Sequence, residues 1–208
     1  MNPANFKAPY LSKDKIWEEA DEFRAAVWPS AAIPIDVMEI VEFTLGMEFR
    51  TVSSLRSDDD IDALLLKDWK TIVVDQGLFM DDRYSNRLRF SIAHELGHYV
   101  LHKTLFDEIP LTTPEEWVCF MRDIPQKEYS FIEYHAYEFA GRFMVPPDAL
   151  RRELEAAIVL VEGNGLPRIS LTEDSHLAYI ATGIAKSFDL SSGVIERRLK
   201  IERMWPLP

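Results

Sequence analysis

The spacing of apolar residues divides the chain into elements before any chemistry is considered. After a short polar arm, Ile16, Ala20, Phe23 and Val27 recur at helical intervals, and Ser12 stands where an N-cap belongs. Pro29 and Pro34 end that pattern, and a second helix fits residues 35–45, with Gly46 at its C-terminal end. Met47, Phe49 and Thr51 alternate with polar residues, as in a half-buried strand, and Asp58, Asp59 and Asp60 read as a solvated turn. Of the apolar runs at 63–66 and 71–75, the second is β-branched enough to predict a strand. A helix is predicted from about Ser85 to His102, followed by a loop-like stretch to about Lys127 that carries Pro110, Pro114 and Pro125. Further helices fit residues 130–144, 148–160, 172–188 and 191–204. A few strands in front and helices behind predict an α+β fold, with a short sheet packed on several helices.

Composition narrows the class. A length of 208 residues suits one compact unit, and the motifs below divide it into residues 1–147 and a helical segment, 148–208, packed on them. A net charge of −12 argues against a duplex-binding surface spread over the protein, because neutralising phosphates needs clustered Lys and Arg. Cys119 is the only cysteine, so no intrachain disulfide can form. No apolar run is long enough for a signal peptide or a membrane span, and a cytoplasmic protein is expected.

The strongest chemical signal is His94-Glu95-Leu96-Gly97-His98. On a helix the two histidines fall on one face, close enough to share one ion, while Glu95 is turned aside and can act as base on a water. Leu88, Ile92, Leu96, Tyr99 and Val100 form an apolar stripe that Phe90, Ala93, Gly97 and Leu101 widen. Such a helix is buried nearly all round, with one polar seam, and a metal ion would partner that seam. An amphipathic helix with ordinary hydrogen-bonded histidines is the plainer alternative. His102 lies about 12 Å along the helix from His94 and cannot share its ion; it is expected to hydrogen-bond near the site or to lie at its rim.

A catalytic zinc site takes three protein ligands and leaves one position open. In the segment 130–144, Ile132, Ala136, Phe139, Ala140, Phe143 and Met144 share a face, and Glu133 sits among them. A carboxylate there is costly unless paired or bound to metal, which makes Glu133 the candidate third ligand. Tyr134, His135, Glu138 and Arg142 are expected on the opposite, solvent-facing side.

The run Arg89-Phe90-Ser91-Ile92-Ala93 before the motif, Tyr99-Val100-Leu101-His102 after it, and Glu133-x-x-Ala136-x-x-Phe139-Ala140-x-x-Phe143-Met144-Val145-Pro146 downstream resemble the ImmA/IrrE family of zinc metallopeptidases. Ile33-Pro34-Ile35-Asp36 and Ile72-Val73-Val74-Asp75 agree with that pattern upstream. The resemblance, over about residues 33–147, implies a small gluzincin-like domain with zinc on His94, His98 and Glu133 and with Glu95 as base. It also implies a protein substrate, of the DNA-binding repressor type. One departure is Tyr137, where the family pattern usually has Asn or Asp. That position can orient a ligand histidine, and a tyrosine there can also donate to a developing oxyanion.

Two further expectations come from the residues. The stretch 103–127 holds Leu105, Phe106, Leu111, Trp117, Phe120 and Met121, and it joins the two ligand-bearing segments. It is expected to form part of a substrate cleft or a lid, with Trp117 as an aromatic anchor, or else to pack permanently on the core. The last two helices resemble a helix-turn-helix, yet residues 172–208 hold five acidic and five basic side chains. That balance favours a helical pair packed on the protease over direct DNA binding. The expected function is therefore zinc-dependent proteolysis. The alternative is a non-catalytic zinc-containing module that sequesters a partner protein.

Overall fold

The computed structural model describes residues 2–30, 32–109, 114–171 and 174–206. Helix α1 (Lys13–Val27) starts where Ser12 Oγ accepts from the Lys15 amide at 3.2 Å. The second predicted helix is a single α-turn, α2 (Val37–Glu39), that widens into a π-helix (Ile40–Thr44) and ends at Gly46, which adopts φ +62°. Strand β1 (Glu48–Val52) lies at the sheet edge and is mostly exposed, so the expected alternation holds for Met47, just before it, and for Phe49, but not for Thr51. Where a turn was expected at the three aspartates, a short helix α3 (Leu55–Asp59) runs between left-handed Ser54 and Asp60. The side chains of Asp58 and Asp59 lie outside those described.

The three-stranded sheet has the order β1-β3-β2, with β2 (Ala63–Leu65) antiparallel and β1 parallel to β3 (Thr71–Asp75). Every residue of the central β3 is buried, as its β-branched run requires. Asp75 ends it and caps α4 (Gln76–Phe79) by accepting from the Leu78 amide at 3.0 Å.

The motif helix α5 (Ser85–Asp107) outruns its prediction by five residues. The stretch predicted as loop-like is largely helical: the last turn of α5, then α6 (Pro114–Asp123). Leu111 lies outside the described residues, as does the side chain of Trp117. Helix α7 (Gln126–Met144) begins directly after Pro125, one turn earlier than predicted. Then follow α8 (Pro147–Gly163), with proline in its first turn, α9 (Asp174–Phe188) and α10 (Ser192–Ile201). Thr172, predicted to begin α9, lies outside the described residues. No helix among the described residues is long and apolar enough to cross a membrane.

Helices α5 and α7 pack at their small residues. A Cβ added at Gly97 would stand 2.9 Å from both the Cα and the carbonyl oxygen of Ala136. Most of the face of α7 expected to meet solvent is instead covered, although Tyr134 is exposed as expected. His135 is buried against His102 of α5, and Glu138 and the nearly buried Arg142 are covered where α1 and α10 close over that side. Glu138 Oε1 accepts from Trp17 Nε1 at 2.6 Å and from Arg198 Nη1 at 2.8 Å. Arg142 forks onto Asp21 and also reaches Glu202 Oε1 at 2.8 Å, and Glu202 pairs with Arg198. A solvent-facing pattern on one helix becomes core once two other helices bring complementary charges. Helical periodicity within a single segment cannot show this.

Two stability outcomes follow from these contacts. Gly97→Ala gains helix propensity but forces the α5 and α7 backbones apart, and overpacking of this kind costs about 1–3 kcal/mol. Denaturant melting of the metal-free protein checks it; unchanged stability would show that the contact is soft. Arg198→Met strands the buried Glu138 carboxylate and is expected to cost about 3–5 kcal/mol, read from the same melts.

Candidate metal centre

The middle of α5 and the middle of α7 face one another across the Gly97 contact, and this sets the positions of three side chains. His98 Nε2 lies 3.0 Å from His94 Nε2 and 3.6 Å from Glu133 Oε1, and His94 Nε2 lies 3.1 Å from Glu133 Oε2. A tetrahedral ion with ligands at 2.0–2.1 Å separates its donors by about 3.3 Å, so the two imidazoles and one or the other Glu133 oxygen are spaced to share one. Donor atoms of His94, Glu95 and His98 also fall within 4.8 Å of one another. Glu95, however, is directed elsewhere: its Oε2 accepts from the backbone amide of Leu65 on β2 at 2.8 Å. That bond holds the carboxylate beside the two histidines while keeping it off the point the other three groups share.

The electrostatics match this division. Burial pushes the Glu95 carboxyl up to about 7, against the opposing effects of His94 and the Leu65 amide. Burial also drives His98 well below its ordinary range, so it is a neutral imidazole with a free lone pair. At His94 burial acts downward, but the hydrogen bond to Glu133 and the charges of Glu95 and Glu133 raise its pKa overall. Glu133 is opposed by burial and held down by His94, His98 and a hydrogen bond from Tyr129.

Tyr129 is a site residue that sequence reading missed. Its hydroxyl donates to Glu133, and burial, with the charge of Glu133, pushes its pKa up to about 12. The signal was the i, i+4 spacing from Glu133, hidden because the predicted helix began at Ser130. The other candidates are placed as follows. His102 is fully buried rather than at a rim, with Nδ1 at 3.1 Å from Nδ1 of His98. Tyr137 hydrogen-bonds neither histidine among the described residues; its ring meets Phe90 edge-on, and Arg197 lies 4.7 Å over its face.

A cleft of about 420 Å³ opens over the site, walled by Leu65, Trp69, Phe90, Phe106, Met121 and Tyr137. Phe106 and Met121 come from the stretch predicted as a loop, which therefore does reach the cleft. The free edge of β2 forms one side. Leu66 N bonds Thr71 O and Asp75 N bonds Asp62 O, so the backbone groups of Ala63 and Leu65 point away from β3.

The family described as IrrE N-terminal-like domain, peptidase M78, matches residues 81–200, more than half of the chain. The chain belongs to this family. The match contains both ligand-bearing helices and the C-terminal helical pair. Membership makes it a metallopeptidase-family protein, and the His-Glu-His cluster could hold a metal ion. No curated protein matches the chain.

Proposed function

We propose that the protein is a zinc-dependent endopeptidase that cleaves a protein substrate, with a repressor-type transcriptional regulator as the expected class. In this reading His94, His98 and Glu133 hold zinc, and the enzyme works in the cytoplasm as one compact unit. Residues 1–147 carry the peptidase, and 148–208 brace it. The observation that carries the reading is the convergence of those three donor atoms beside a carboxyl group that they do not need as a ligand. A purely structural site has no use for that fourth group. Zinc, when bound, supplies Lewis-acid polarisation to water and to the scissile carbonyl.

The protein's own groups do the rest. Glu95 takes the proton of a water as its oxygen adds to the carbonyl carbon, then passes that proton to the departing amine nitrogen. A carboxyl group titrating near 7 suits both steps, since it must accept and release the same proton. Leu65 keeps Glu95 aimed by holding one oxygen, and Tyr129 holds Glu133 in the same way. The outward backbone groups at Ala63 favour a polypeptide as substrate, because an extended segment can pair with a free strand edge.

Two substitutions test the assignment. Glu95→Gln preserves shape but cannot carry the proton; cleavage of the candidate repressor is expected to fall by at least about a hundredfold, with zinc content intact. Residual turnover near the wild-type rate would refute the base assignment, and binding without cleavage in the wild type would favour sequestration instead. Glu133→Ala is expected to lower zinc occupancy in elemental analysis. Full occupancy with unchanged affinity would show that the third ligand lies elsewhere.

A further inference from the structure

The face of α5 that carries His94 and His98 continues one turn to His102, which has no exposed surface. His98 turns Nε2 toward His94 and Glu133, and its Nδ1 meets Nδ1 of His102 at 3.1 Å. On the other side of the ring, His102 Nε2 lies 3.3 Å from Nδ1 of His135. His135 comes from α7, two residues after Glu133, and is itself buried. Three imidazoles thus form one line from the metal centre into the core.

Each contact joins two ring nitrogens, so each needs one proton and one lone pair. All three rings lie in the interior or nearly so, where a neutral ring is favoured, and a neutral ring carries a single N–H. If His98 offers its Nε2 lone pair to zinc, its proton sits on Nδ1. Nδ1 of His102 must then accept, which puts the His102 proton on Nε2, from where it donates to Nδ1 of His135. One choice at the metal fixes the proton order along the whole line. We propose that His102 and His135 are positioning residues that lock the tautomer and ring orientation of His98 through a line of neutral imidazoles. This inference rests on the metal-site reading above.

The more common partner for a ligand histidine is a carboxylate, a backbone carbonyl or a water. An ionised carboxylate at this depth, against the ring of Phe106, would be expensive to bury. A neutral acceptor supplies the hydrogen bond without placing a second negative charge behind the ligand. The site therefore keeps more of the ion's positive charge for polarising its substrate.

Histidine-directed long-range proton–nitrogen NMR on the zinc-loaded wild-type protein tests the line directly. The expected spectra show His98 protonated on Nδ1 and both His102 and His135 on Nε2; a His102 protonated on Nδ1 overturns the proposal. Zinc competition against a chromogenic chelator gives an independent arm. His102→Leu removes the acceptor and is expected to weaken zinc binding by about 10–100-fold. His102→Asn places an oxygen near the former Nδ1 and is expected to restore most of that loss. Wild-type affinity in His102→Leu, or equal losses in both variants, would mean that the ring only fills space. A wild-type protein that takes up no zinc overturns the metallopeptidase reading together with this inference. Zinc uptake with the wrong tautomers overturns the inference alone.

Discussion

The close approach of two backbones at Gly97 and Ala136 is the constraint on which the site depends. Gly97 lies between His94 and His98, and Ala136 lies three residues after Glu133. The contact that brings the helices together is therefore also the one that brings imidazoles to carboxylate. Any side chain at Gly97 would push α7 outward and move Glu133 from both histidines at once. Packed interiors do not stretch to absorb such a shift. The glycine in the motif is thus as much a part of this cluster as the residues that face it, although it contributes no side chain to it.

Once the two helices are this close, most polar groups at the middle of each are turned from solvent and must find partners inside, although Phe131 and Tyr134 of α7 stay exposed. They do so in two separate systems. Between α5 and α7, the histidines, Glu133 and Tyr129 satisfy one another, and Glu95 is satisfied by the edge strand. On the far side of α7, Glu138 and Arg142 are paired with α1 and α10. Helix α7 separates a group of side chains suited to chemistry from a group that fixes its own position. Buried networks of this kind are costly when broken, so they favour one packing of the helices over its neighbours.

The parts of this structure that were legible in the sequence depend on local spacing. The His94/His98 pair, the Ser12 cap, the β-branched β3 and the carboxylate at Glu133 all declare themselves within a turn or a strand. What was not legible depends on distant partners. Glu138 and His135 read as solvent-facing because nothing in their own helix reveals that Trp17 and Arg198, or His102, come to meet them. Tyr129 was lost to a boundary error of four residues, and α6 to the prolines at 110, 114 and 125. Of these, Pro114 begins a helix, where its missing N–H costs nothing. The helix-turn-helix resemblance was legible as a shape but not as a function.

The cations of α10 pair with groups of the protein itself. Arg198 is buried against Glu138 and Glu202, Arg197 lies over the Tyr137 ring, and Lys200 reaches Asp174 at 3.1 Å. A helix that reads DNA needs its basic side chains turned outward toward phosphates and base edges. Here Arg198 is buried against the helix that carries Glu133, and Arg197, although exposed, lies against the same helix. Releasing Arg198 to meet a phosphate would strand a buried carboxylate and loosen α7. The C-terminal pair braces α7: Arg198 balances buried carboxylates on the far side of the helix, away from the cluster of His94, His98 and Glu133.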